Sequence, residues 1–155
     1  MRVSIAAVGR LSRSPETELV ADYLRRADAS GRALALTPVD LIEVEARKSG
    51  KPAEAEALSA AIGDGAWIIA CDERGKPLKS RQLAQRVADL RDRGERRLVF
   101  VIGGADGLDP AFVEQAHESL AFGPQTWPHA LARAMLAEQI YRAVTILGGS
   151  PYHRD

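Results

Sequence analysis

Short apolar runs that stop at glycine or at a polar turn alternate along this chain with segments of helical spacing. Val3–Val8 closes at Gly9, Trp67–Asp72 leads into Glu73-Arg74-Gly75-Lys76-Pro77, and Leu98–Ile102 runs straight into Gly103-Gly104. A second strand is expected over Leu34–Leu41 and a short fifth over Ser119–Phe122. Ser14-Pro15-Glu16 reads as a helix cap, a first-turn proline and an early acid, followed by Leu19, Val20, Tyr23 and Leu24 at helical spacing. Ala53–Ile62 is helical by propensity, and Glu45–Pro52 before it is a polar loop. Ser80 is expected to cap a helix bearing Leu83, Val87 and Leu90 that Gly94 ends. Asp109-Pro110 starts another helix, and the longest runs from His129 to about Leu147. Such alternation, with connections long enough for crossovers, predicts an α/β fold with a parallel or mostly parallel sheet covered by helices on both faces. Ligands in these sheets sit beyond the carboxyl ends of the strands. That singles out Cys71-Asp72, Gly103-Gly104 and the segment after Phe122.

The 155 residues suit one domain with a real core, residues 1–155. Lys plus Arg and Asp plus Glu are 21 each, so charge alone does not make the chain a clamp for nucleic acid, although local patches can steer a neutral protein. The single cysteine, Cys71, excludes an internal disulfide and a cysteine-based zinc site. The apolar run after Met1 is too short for a signal sequence, and no segment reaches the ~18 apolar residues of a membrane span. The expected location is the cytoplasm.

Gly103-Gly104-Ala105-Asp106-Gly107 fits neither a dinucleotide fingerprint nor a P-loop. Phe122-Gly123-Pro124-Gln125-Thr126-Trp127-Pro128 cannot form a helix, so its backbone polar groups need other partners, and a small ligand with donors and acceptors is one source of them. His129 and Arg133 share a helix face, as do Glu138 and Arg142, the latter pair being also what an ordinary i,i+4 ion pair would look like. The three histidines lack metal-ligand spacing, and no metal is expected. Arg91, Arg93, Arg96 and Arg97, interrupted by acids, read as a solvated helix end.

Taken together, VIGGADGL at 101–108, TWPHALAR at 126–133, LAEQIYRA at 136–143 and PYHRD at 151–155 resemble the ribosomal RNA large subunit methyltransferase H family, the small one-domain members of the SPOUT methyltransferases. The resemblance covers essentially the whole chain. It implies a C-terminal trefoil knot, S-adenosylmethionine as cofactor, a homodimer, and methylation at N3 of pseudouridine 1915 in helix 69 of 23S rRNA on the assembled ribosome. It places the cofactor on Cys71, Gly103, Phe122, Gly123, Pro124, Gln125, Thr126 and Trp127. Two positions depart from the family pattern: Cys71 stands where leucine is common, and Gly123-Pro124-Gln125 replaces a stretch usually rich in serine and leucine or methionine.

Methyl transfer to an imide nitrogen needs an aligned nucleophile, a route for one proton and a cation for the developing anion. His153 and Arg142 are the expected catalytic pair, with His153 a candidate base because imidazole titrates near neutrality. His129, Arg133, Tyr152 and Arg154 are expected to bind substrate. Valine at Gly103 is expected to block the cofactor without unfolding the chain, and removal of 152–155 to abolish transfer at little cost in stability. Two other classes compete: a SPOUT enzyme for another RNA such as tRNA, and a non-catalytic RNA- or nucleotide-binding module.

Overall fold

Alternating side chains in the strands face two different layers, and this fixes the architecture. In β1 (Arg2–Val8) Val3, Ile5 and Ala7 join one apolar cluster, while Ala6 and Val8 join another. In β4 (Arg97–Ile102) Leu98, Phe100 and Ile102 face the first cluster and Val99 and Val101 the second. A strand apolar on both sides has to be central, since each face must be covered. The computed structural model, which describes all 155 residues, places β4 at the centre of a five-stranded parallel sheet of order β2-β1-β4-β3-β5. Ile5 pairs with Phe100, and Phe100 with Ile69 of β3 (Trp67–Pro77).

Three helices cover the first face: α1 (Pro15–Gly31), α3 (Ser80–Asp92) and α5 (His129–Leu147). The second face is covered by α2 (Lys51–Ile62) through Leu58 and Ile62, and by α4 (Pro110–Gln115) through Phe112. The expected caps hold for α1, where the Ser14 hydroxyl accepts from the Thr17 amide, and for α4, where Asp109 accepts from the Ala111 amide.

Three local expectations are corrected. The second strand, β2, is Val39–Val44, not Leu34–Leu41. Residues 32–34 form a 3-10 turn, and the Asp28 carboxylate takes hydrogen bonds from the Thr37 hydroxyl and the Val39 amide, so the chain enters the sheet only there. Ser80 is the first residue of α3; Lys79 precedes it, its amide bonded to the Gln82 side chain. The 73–77 turn belongs to β3, with a bulge. Cys71 and Lys76 both pair with Leu120 of β5 (Glu118–Ala121), so 72–75 leave the ladder. Gly75 returns the chain so closely that a Cβ there would lie 2.7 Å from the Leu120 backbone.

Candidate functional site

The carboxyl ends of β3, β4 and β5 stand side by side, and the segments leaving them enclose a cleft of about 480 Å³. Each strand end flagged in the sequence contributes: Cys71 and Asp72 from β3, Gly103 and Gly104 from β4, and Phe122, Gly123, Gln125, Thr126 and Trp127 after β5. Pro124 is the one expected cofactor residue that does not line it. Lys51, Arg74, Asp106, Pro110 and Ala132 also line the cleft, and the sequence reading did not assign them. For Arg74 the signal was present but was spent on a turn.

The wall at 103–107 is main chain. Gly107 donates its amide to the Gly104 carbonyl at 3.0 Å, folding the turn tightly back. A Cβ at Gly103 would sit 2.4 Å from the Gly107 carbonyl carbon and 2.7 Å from the Leu108 nitrogen. Valine there would therefore force this turn open, which corrects the expectation that it would act on ligand space alone. Facing this wall, residues 123–127 make no main-chain hydrogen bond to other backbone groups. Their only brace is the Trp127 indole, which donates to the Phe122 carbonyl at 3.2 Å. Desolvation pushes the Cys71 thiol up to about 12, so it is a neutral, apolar part of the wall. Burial opposes the charge on Asp72, but hydrogen bonds from the Arg74 side chain and amide outweigh it and hold the carboxyl below its usual range.

The expected substrate and catalytic residues divide into three groups. His129 lines the same cleft. Arg142 does not; it lines a second cleft of about 610 Å³, with Lys79, Met135, Glu138 and Gln139, on the far side of Phe122-Gly123, which border both. The C-terminal segment docks on α5 and α3, through Glu138, Arg142 and Arg81. The Tyr152 ring packs tilted against Tyr141, centroids 4.7 Å apart, and lies under the Arg142 guanidinium, and its hydroxyl donates to Glu138 at 2.9 Å. Arg142 binds Glu138 at 2.6 Å and His153 Nδ1 at 3.1 Å. A guanidinium only donates, so Nδ1 accepts and Nε2 carries the proton, which it donates to Asp155 at 3.1 Å. Asp155 in turn takes two hydrogen bonds from Arg81 of α3, at 2.7 and 2.6 Å. Arg154 is exposed and makes no ion pair.

Arg133 corrects its assignment to substrate binding. Its side chain is completely buried, 2.8 Å from Glu43 and hydrogen-bonded to the Val8 and Gly9 carbonyls. Its Nε has no partner. Desolvation lowers its pKa against the pull of Glu43. It ties the start of α5 to the carboxyl ends of β1 and β2, and a substrate does not reach it.

No three His, Cys, Asp or Glu side chains cluster as metal ligands would, and no helix is long and apolar enough to cross a membrane.

The fold, a parallel α/β sheet flanked by helices, is shared with solved structures. A probable methylase family protein from Haemophilus influenzae Rd KW20 superposes with a TM-score of 0.56 at 14% identity, covering 99% of this chain and 70% of that one. A probable methyltransferase from Bordetella pertussis Tohama I gives 0.56 at 16% identity, covering 92% and 95%. The family model described as "Predicted SPOUT methyltransferase" matches residues 1–153, and the chain belongs to that family. Proteins named ribosomal RNA large subunit methyltransferase H are similar over their full length: 69% identical in Phenylobacterium zucineum and 64% in Caulobacter sp. strain K31, each over 100% of both chains. The protein of that name in Ruegeria sp. strain TM1040 is 54% identical over 99% of both.

Proposed function

We infer that this chain methylates N3 of pseudouridine 1915 in helix 69 of 23S rRNA, with S-adenosylmethionine as donor, in the cytoplasm and as a homodimer. The observation that carries the reading is the convergence of three strand ends on one cleft whose walls offer main chain rather than side chains. The residues present fit the cofactor: Gly103 leaves the wall without a Cβ, and 123–127 hold backbone donors and acceptors without backbone partners. When bound there, S-adenosylmethionine supplies an electrophilic sulfonium methyl.

The chain's own residues do the rest. The backbone of 123–127 and the 103–107 turn hold and orient the donor. Glu138 and His153 orient the Arg142 guanidinium, which stabilises the imide anion of the substrate. His153 takes the imide proton at Nδ1, the nitrogen whose lone pair faces Arg142, so the substrate must displace that contact. Tyr152 and Arg154 bind the RNA by stacking and by charge. Within one chain, Arg142 opens to the second cleft with His153 bonded to it, and neither residue lines the donor cleft. A two-fold dimer resolves this by bringing one subunit's C-terminal segment to the other's donor cleft.

The test is mass analysis of helix 69 after purified protein and S-adenosylmethionine are incubated with ribosomes lacking the modification. One added methyl on the fragment holding position 1915 is expected. A protein that binds the donor yet leaves that fragment unchanged sinks the reading.

A further inference from the structure

A protein of zero net charge has little long-range pull on RNA, so the placement of its unpaired cations matters more than their number. At the amino ends of the strands most cations are already engaged. Arg2 pairs with Asp40, Arg32 with Asp28, Arg91 with Asp92 and Arg86 with Glu118. Arg93 lies over the Trp67 ring at 5.1 Å. The opposite end differs. The loops after β1 (9–14) and β2 (45–50) carry Arg10, Arg13, Arg47 and Lys48, all exposed and none in an ion pair or side-chain hydrogen bond. Glu45 is the only acid on the two loops.

The loops are held together. Val8 pairs with Val44, and the Gly9 amide donates to the Val44 carbonyl at 2.8 Å. Arg133 holds the Gly9 carbonyl from beneath, and its partner Glu43 takes the Leu11 amide at 3.0 Å. Arg10 thus stands between two backbone points fixed by one ion pair, of the buried Arg133 with the partly exposed Glu43. The loops also border the donor cleft, since Lys51 follows 45–50 and lines it, and Val8 lies against the Gly104 wall. On the β3 side the cleft carries Asp72 and Glu73 with only Arg74 for a cation, and Arg74 is already paired with Asp72. Neither loop carries an aromatic residue for stacking on a base.

We propose that the paired loops 9–14 and 45–50 form a platform for the phosphate backbone of the rRNA flanking the target nucleotide, read by charge and not by base. This rests on the rRNA reading above. Four unpaired cations on the loops after β1 and β2, against a β3 side whose one arginine is already paired, set the direction in which the strand leaves the site.

The experiment compares two triple variants of equal charge change. One is Arg10→Ala, Arg13→Ala and Arg47→Ala; the other, at the opposite end, is Arg93→Ala, Arg96→Ala and Arg97→Ala. Methyl transfer to ribosomes is measured for each across a salt series, with donor affinity measured alongside. The loop variant is expected to raise KM for ribosomes by about tenfold at low salt, with kcat and donor affinity unchanged. Its salt slope should fall by about two, at roughly 0.7 per phosphate contact on a single strand. The distal variant should behave as wild type. Equal effects of the two variants, an unchanged KM in the loop variant, or a loss of its donor affinity would overturn the platform while leaving the rRNA reading intact. Wild-type protein that does not methylate ribosomes overturns both.

Discussion

Arg133 and Gly103 show how much a single position can carry here. Arg133 is a fully buried cation whose only charged partner is Glu43. Glu43 keeps 28% of its side chain exposed, so the loss on removing Arg133 comes from the space left behind and from the Val8 and Gly9 carbonyls deprived of their donor, at about 1–3 kcal/mol for each polar group left unsatisfied. Arg133→Ala should lower unfolding free energy by that order in a urea titration. Removing Glu43 in the same chain should then add little, since the two act as a unit. Full additivity of the two substitutions would mean that they do not form one. Gly103→Ala should weaken donor binding by at least tenfold in a calorimetric titration, because its Cβ would strike the backbone at Gly107 and Leu108. Its melting temperature should fall only slightly, since the 104–107 turn is at the surface and can open alone. Unchanged affinity would remove the 103–107 turn from the donor site.

At the level of elements, legibility followed locality. The strands β1, β4 and β5 and the helices α1, α4 and α5 were readable because period, cap and punctuation agreed. The start of β2 was not, because it is set by Asp28, eleven residues back, bonding the Val39 amide. The β3 bulge was hidden for the same reason: a glycine and charges read as a turn, but pairing with β5 draws 76–77 back into the sheet. The cleft beyond β3, β4 and β5 was legible because strand ends are visible in sequence and the sheet order brings them together. Burial of Arg133 was not, since its partner lies ninety residues away. Nor was the docking of the C-terminal segment, which depends on Arg81 of α3. That contact is testable. Two hydrogen bonds from Arg81, then one from His153, hold the Asp155 carboxyl at about 2 against an ordinary 3.8. A depressed carboxyl contributes above its unfolded pKa, so the docked segment should be fully held above about pH 4 and released as pH falls toward 2. In Arg81→Ala the Asp155 titration followed by NMR should move up toward 3.8. An Asp155 carboxyl that still titrates near 2 in that variant would show that Arg81 is not the latch.

The whole molecule raises a question that one subunit does not answer. Phe122-Gly123 separates the cleft at the strand ends, the proposed donor site, from the cleft holding Arg142, while Arg142, Glu138, Tyr152 and His153 form one network on one chain. If the working site takes its donor wall from one subunit and this network from the other, defects in the two parts should complement. Gly103→Ala removes the donor wall and spares the network; Arg142→Ala does the reverse. At a donor concentration well below the Gly103→Ala dissociation constant, each variant alone should be nearly inactive in methyl transfer to ribosomes. Mixed in equal amounts and allowed to exchange, half of the dimers are hybrids, and in each hybrid one site of two joins an intact wall to an intact network. Activity should therefore return to about a quarter of wild type for a closed two-fold dimer. A site built within one subunit predicts no recovery, because every chain in the mixture lacks one part. Hybrid formation can be followed by native mass spectrometry of tagged and untagged subunits, so silence from a mixture that demonstrably holds hybrids would place the site inside a single chain.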